Sequence, residues 1–218
     1  ISTVEFHKGN LVFGTIGDKN VLIMHGRMHA YEGYSLQEIV FPIRVMKLLG
    51  IQKLFLSNAV GGINLNFKKG DLILIDDHIN LLYGNPLTGR NFDELGPRFP
   101  DMSEPYDVAL KKLFLEKAAE IGITLKKGIY AAVHGPNLET KAEYRHLKII
   151  GADMVGMSTV PEVIAANHMS LPCIPISVIT DECDPENLKA VNIAEIIETA
   201  GKADLKLSKL FVEVIKTS

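Results

Sequence analysis

Short apolar runs alternate along this chain with stretches of helical periodicity, and this alternation limits the possible folds more than any other feature. Residues 53–57, 71–75, 128–133, 153–156 and 174–179 read as strands, each a few residues long and mostly apolar or β-branched. Between them lie amphipathic segments with start and stop signals. Ser35 with Glu38 forms a capping box, after which Ile39, Val40, Ile43, Val45, Met46 and Leu49 recur at helical spacing until Gly50. Further helices are expected over 106–121 after Ser103 and Pro105, from a Thr140/Glu143 box to about 150, over 160–169 after a Thr159/Glu162 box, and over 193–214. Residues 11–16 and 21–24 flank Gly17-Asp18-Lys19-Asn20 and predict a hairpin. Strands of this kind between helices imply an α/β fold: a single domain over 1–218, with a central mixed β-sheet flanked by helices.

Composition narrows the function. The chain has 218 residues, 47% of them hydrophobic, which is enough for a buried core. A formal net charge of -3 without a Lys/Arg block speaks against a nucleic-acid surface, whose affinity rests on clustered cations. Cys173 and Cys183 are too few for a disulfide framework or a zinc set, so the expected setting is reducing and cytoplasmic. No apolar run approaches the roughly 18 residues of a membrane span, and no membrane partner is expected. The chain opens at Ile1 instead of Met, with residues 11–16 already reading as a strand, so an upstream segment is expected to be missing.

Polar residues gather where strands are expected to end, which is where open α/β sheets bind ligands. Asn58-Ala59-Val60-Gly61-Gly62 reads as a loop of accessible backbone N–H groups, suited to an anion or simply to a tight turn. Asp76-Asp77-His78-Ile79-Asn80 reads as a second such loop. Arg27 and His29 flank one residue, so both can face one ligand, a guanidinium fork and an imidazole donor serving a phosphate; the plain alternative is an Arg27–Glu32 surface pair. Tyr31 lies on the same side. Ser158 stands at an expected helix start, able to donate to an anion or to cap the helix. Glu139 precedes a helix, facing either its dipole or a ligand. Leu138 and Met157 adjoin these polar positions, and residues 81–102 form a long aperiodic loop of the kind that covers a site or an interface. His25, His29 and His78 raise a metal-dependent hydrolase as a second reading.

Six segments in order carry a resemblance: Gly26-Arg27-Met28-His29-Ala30-Tyr31-Glu32-Gly33-Tyr34, Ser57-Asn58-Ala59-Val60-Gly61-Gly62, Asp77-His78-Ile79-Asn80, Gly135-Pro136-Asn137-Leu138-Glu139-Thr140, Gly156-Met157-Ser158-Thr159-Val160-Pro161-Glu162 and Thr180-Asp181. Together they resemble the trimeric purine nucleoside phosphorylases, in the family that also holds the methylthioadenosine phosphorylases. The resemblance runs nearly end to end and implies a homotrimer of the nucleoside phosphorylase fold. It implies reversible phosphorolysis of purine nucleosides, with inorganic phosphate as co-substrate and no metal or organic cofactor. By resemblance, His7, Arg27, His29, the Ala59 backbone and Ser158 hold phosphate. Tyr31 and Met157 line the ribose. Leu138, Glu139, Thr180 and Asp181 surround the purine, and His29, Glu139 and Asp181 carry the catalytic roles.

The sequence departs from the family pattern at several points. The family's Gly-Ser-Gly phosphate loop has no counterpart, which leaves a catalytically inactive nucleoside-binding domain as a further reading. The Phe that a neighbouring subunit contributes aligns with Leu95, and the Phe that stacks on the base aligns with Leu138. The His at the ribose 5'-hydroxyl has no counterpart around residues 192–195. Asp181 stands where members specific for 6-oxopurines carry Asn; an ionised carboxylate only accepts, which suits a 6-amino group, whereas Glu139 suits the N1–H of inosine or guanosine. A protonated Asp181, buried beside Glu139, would reconcile the two. The expected principal substrates are inosine and guanosine, ribo or deoxyribo, with 5'-methylthioadenosine or adenosine as the alternative.

Overall fold

The computed structural model describes residues 9–190 and 192–218. The chain opens with a hairpin, β1 (Asn10–Ile16) and β2 (Lys19–His25), paired antiparallel with Ile16 opposite Lys19. The turn is thus Gly17-Asp18, and Gly17 takes φ 62°, a left-handed conformation that costs glycine nothing sterically. Next come α1 (Leu36–Leu48), β3 (Leu54–Gly62), β4 (Leu72–Asn80), α2 (Val108–Glu120), β5 (Leu125–Ala132) and α3 (Lys141–Ile149). The last elements are β6 (Met154–Gly156), α4 (Val160–His168), β7 (Cys173–Glu182) and α5 (Ile193–Thr217).

The expected mixed sheet is present, and it curls into a closed barrel in the order β3-β6-β5-β4-β7. Pairs β3–β7, β4–β5 and β5–β6 are parallel, while β3–β6 and β4–β7 are antiparallel. Closure removes the free edges that a short sheet would expose. Leu72, Ile73, Leu74 and Ile75 of β4 are all buried, as a strand covered on both faces requires. Two bulges interrupt the ladders. In β3–β7, Val60 opposes Ile179 but Gly61 opposes Asp181, so Thr180 is the extra residue; in β4–β5 the extra residue is Asp76.

Helices cover the barrel through stripes at helical spacing. On α5, Ala203, Leu207, Leu210 and Val214 are buried, and Phe211 beside them meets Phe55 of β3 and Phe114 of α2 at centroid distances of 6.0 and 5.7 Å. Phe55 and Phe114 meet edge to face at 5.1 Å, so three aromatic rings join barrel to helices. Among the described residues no helix is long and apolar enough to cross a membrane. Cys173 and Cys183 are both buried free thiols.

Several boundaries differ from the sequence reading, for identifiable reasons. Asn58–Gly62 and Asp76–Asn80, read as loops, are the second halves of β3 and β4; their polar side chains leave the backbone free to complete ladders with β7 and β5. Thr180 and Asp181 likewise lie within β7. Helix α2 starts later than expected because Asp107, accepting from the Leu110 N–H at 2.8 Å, is its cap. The Thr159/Glu162 box does not form: Thr159 sits at φ 75° and makes no side-chain cap. The Ser35/Glu38 and Thr140/Glu143 boxes do form.

Truncating Phe114→Ala is expected to cost about 3–5 kcal/mol, because a fully buried ring at the barrel–helix junction would leave a cavity. Equilibrium urea denaturation of parent and variant checks this, and a loss within about 1 kcal/mol would show the junction to be plastic.

Candidate functional site

Strands β2, β3 and β7, with the segments that follow β5 and β6, border an open cleft of about 1800 Å³. Every described residue that the resemblance assigns to phosphate or nucleoside lines it: Arg27, His29, Tyr31, Ala59, Leu138, Glu139, Met157, Ser158, Thr180 and Asp181. His7 lies outside the described residues. The cleft continues past these residues into an apolar stretch lined by Leu22, Ile43, Phe55, Ile197 and Phe211.

The basic end is built around Arg27. Its Nη1 donates to Ser158 Oγ at 2.9 Å and Thr159 Oγ1 at 3.2 Å, and its Nε lies 3.3 Å from the buried Glu162 carboxylate. The sequence alternative paired Arg27 with Glu32, whereas the Glu32 carboxylate holds His29: it accepts from the His29 backbone N–H at 2.9 Å and lies 2.8 Å from Nδ1. This double grip fixes the imidazole, and Tyr31 stacks on it at 4.7 Å. Burial pushes the Tyr31 phenol above its ordinary pKa, assisted by Glu32 and opposed by Arg27.

Thr159 is a β-branched residue at positive φ, a conformation that persists only where surroundings enforce it. Here the enforcement is visible. Its hydroxyl accepts from Asn58 Nδ2 at 2.8 Å as well as from Arg27, so three chain segments meet on one oxygen. Ser158 is clamped from inside the barrel, where the Tyr130 phenol donates to the Ser158 carbonyl at 3.0 Å and accepts from its N–H at 3.2 Å. Gly156 makes room for that ring, since a Cβ there would stand 2.8 Å from the phenol oxygen. A fixed guanidinium, a hydroxyl on a clamped backbone and the start of α4 suit an oxyanion, while the buried acceptors Asn58 Oδ1 and Glu162 Oε2 have no hydrogen-bond partner among the described residues.

The other end is acidic. Thr180 Oγ1 donates to Asp181 Oδ1 at 2.8 Å and lies 3.2 Å from the Val60 carbonyl, and the Cys183 thiol donates to Asp181 Oδ2 at 3.0 Å. Burial pushes the Glu139 carboxyl above its ordinary value, its own backbone N–H pulls against this, and the Asp181 and Glu143 carboxylates push the same way as burial. Glu139 therefore faces the cleft, and the helix start behind it is served by the Thr140/Glu143 box. Met157 packs over Gly135, where any side chain would collide with its thioether. Half-exposed Leu138 completes the apolar lining.

The histidines of the hydrolase reading are engaged separately. His78 Nδ1 lies 2.7 Å from the Tyr106 hydroxyl, and burial lowers its pKa. Among the described residues no group of three His, Cys, Asp or Glu side chains could hold a metal ion.

Residues 2–216 match the family model described as Phosphorylase superfamily. The chain is 46% identical over 215 residues to "Purine nucleoside phosphorylase 1" of Bacillus subtilis (strain 168), covering 97% of this chain and 79% of that protein. It belongs to the phosphorylase superfamily. The Mus musculus purine nucleoside phosphorylase is 46% identical over 224 residues, covering 100% of this chain and 77% of the relative. A solved purine nucleoside phosphorylase from Schistosoma mansoni, in complex with inosine, superposes with a TM-score of 0.94 at 39% identity, over 100% of this chain and 79% of that one. The mixed-sheet α/β architecture is thus that of the nucleoside phosphorylases.

Against this family background, the sequence reading missed the side chains that hold the candidates in place: Tyr130, Asn58, Thr159, Glu162 and Cys183. Tyr130 is a fully buried strand residue that no sequence motif marks out. Thr159 and Glu162 carry the spacing of a capping box, and only the positive φ redirects them.

Tyr130→Phe is expected to cost about 1–3 kcal/mol, because the Ser158 N–H loses its acceptor; chemical denaturation measures it. Glu139 supplies a pH signature. Since its folded pKa lies above the ordinary 4.5, its contribution to stability is complete below 4.5 and is lost as pH rises through the raised value. Relative to Glu139→Gln, the parent's urea midpoint should therefore fall on going from pH 4 to pH 8. A parallel pair of profiles would contradict the assignment.

Proposed function

We propose that this chain catalyses the reversible phosphorolysis of purine nucleosides: phosphate attacks the anomeric carbon, the C1'–N9 bond breaks, and free base and pentose 1-phosphate result. The observation that carries the reading is the shared cleft, with Arg27, His29, Ala59 and Ser158 at one end and Glu139, Thr180 and Asp181 at the other. The S. mansoni relative bound to inosine supports a 6-oxopurine nucleoside as substrate.

In this reading the basic end seats phosphate. Arg27 brings a guanidinium already oriented by Ser158, Thr159 and Glu162, and His29 brings a ring oriented by Glu32. His7 belongs to the same proposed set. Tyr31 and Met157 flank the ribose. Bond breaking builds positive charge on the sugar and negative charge on the departing base, so a preorganised anion on one side and hydrogen-bonding carboxyls on the other stabilise both. Glu139 would accept from N1–H, and Asp181 would meet the O6/N7 edge of the ring beside Thr180 and Leu138. Phosphate is the co-substrate, and the chemistry needs no metal or organic cofactor. A homotrimer in the cytoplasm, with residues 81–102 at subunit contacts, completes the proposal.

Turnover of inosine, guanosine, adenosine and 5'-methylthioadenosine, each with and without phosphate, tests it. The expected result is phosphate-dependent release of base, fastest from inosine and guanosine. Ser158→Ala should raise the KM for phosphate by about tenfold while leaving the KM for inosine near the parent value. A preference for 5'-methylthioadenosine, or hydrolysis without phosphate, would overturn it.

A further inference from the structure

Ser158 and Thr159 are neighbours in the chain, yet their hydroxyls lie 3.2 Å apart and both accept from one nitrogen, Arg27 Nη1. In a strand, consecutive side chains would point to opposite faces. Here a tight reversal brings them together: Thr159 takes φ 75° and ψ -50°, and the Val160 N–H donates to the Ser158 carbonyl at 2.8 Å. This is a γ-turn of the rare, strained hand. Glycine would adopt that backbone freely, but the position holds a buried β-branched residue. What threonine supplies and glycine lacks is a hydroxyl.

The donors around that hydroxyl assign a direction to every bond. Asn58 Nδ2 lies 2.8 Å from Thr159 Oγ1 and Arg27 Nη1 lies 3.2 Å from it, and both nitrogens can only donate. Together they fill the two acceptor positions of the oxygen. In the contact between Ser158 and Thr159, Thr159 is therefore the donor. Ser158 Oγ in turn accepts from Thr159 and, at 2.9 Å, from Arg27 Nη1, which fills its acceptor positions as well. Only the Ser158 hydroxyl hydrogen is left, with no acceptor among the described residues, on a side chain that lines the cleft.

We propose that Thr159 is a positioning residue for phosphate: the strained turn sets its hydroxyl against Ser158 Oγ, and Ser158 is thereby presented to the cleft as a donor only. The inference rests on reading the basic end as the phosphate site of the proposed phosphorolysis. A serine hydroxyl that rotates freely can turn a lone pair toward an anion, whereas one whose lone pairs are both occupied cannot. The oxyanion then meets an O–H oriented before it arrives, so binding requires no reorganisation of that group. The bonds run in one sense, from Asn58 and Arg27 to Thr159 and on to Ser158, so each donor polarises the next. Strain at a single residue accompanies that orientation, because only the turn faces the two hydroxyls the same way.

The test separates the hydroxyl from the backbone at residue 159. Phosphate affinity is measured by titration calorimetry, and the KM values for phosphate and inosine by steady-state turnover, with a thermal melt of each protein. The set is the parent, Thr159→Ser, Thr159→Ala, Thr159→Gly, Ser158→Ala and the double variant Ser158→Ala with Thr159→Ala. Thr159→Ala and Thr159→Gly are each expected to weaken phosphate binding and raise its KM about tenfold, with the inosine KM within about threefold of the parent. Thr159→Ser keeps the hydroxyl and should stay within about threefold for phosphate. Glycine fits the turn and alanine does not, so Thr159→Gly should melt about 3 °C above Thr159→Ala while binding phosphate no better. Since Thr159 acts through Ser158, the double variant should bind phosphate within about threefold of Ser158→Ala alone. Should Thr159→Ala fail to fold, the glycine and serine variants carry the comparison. Phosphate affinity that follows melting temperature instead of the hydroxyl, additive losses in the double variant, or a parent without affinity for phosphate would overturn the inference. A parent that binds phosphate with this pattern but releases no base would instead overturn the proposed function and leave the role of Thr159 standing.

Discussion

The guanidinium of Arg27 is the contact through which the site is assembled. It leaves the end of β2 and reaches Ser158, Thr159 and Glu162 at the start of α4, more than a hundred residues away in sequence. Neither partner segment is fixed by its own secondary structure. Arg27 follows a hairpin that forms its own two-stranded sheet apart from the barrel, and Thr159 holds a backbone conformation its side chain disfavours. Their mutual bonds, with Asn58 as third member, hold the hairpin end, β3 and α4 together. The strain at Thr159 persists because three donors and acceptors enforce it, as strained residues at functional sites generally require.

The barrel provides the rigid ground for these contacts. Its interior residue Tyr130 clamps the Ser158 backbone on both its N–H and its carbonyl, so the position of the hydroxyl at the basic end is set from within the core. At the acidic end the same role falls to side chains: Thr180 and Cys183 each engage one oxygen of Asp181. One end is therefore held by backbone and a buried ring, the other by a hydroxyl and a thiol on one carboxylate.

Much of this was legible in the sequence. Apolar runs such as 72–75 identify strands because burial on both faces leaves no room for polar residues. The Ser35 and Thr140 boxes locate helix starts because their reciprocal bonds are local. The candidates at Arg27, Ser158, Glu139 and Asp181 share a cleft, as expected from polar residues gathered near strand ends. What stayed hidden depends on distant partners. Asn58 and Asp77 look like loop residues until β7 and β5 arrive beside them, and Thr159 looks like a cap until its φ is known. That the Cys183 thiol turns back onto the carboxylate of Asp181, two residues earlier, depends on how the chain leaves β7.

The bulge at Thr180 has a consequence for how such a site can change. In a regular strand, neighbours point to opposite faces, yet Thr180 and Asp181 both border the cleft because the ladder skips one residue between Val60 and Gly61. Orientation at this position is thus written into the main chain, independently of the side chain mounted there. Exchanging the acid for an amide at residue 181 would change the chemistry presented to the cleft without moving the main chain that presents it, so this position can vary while the scaffold stands still.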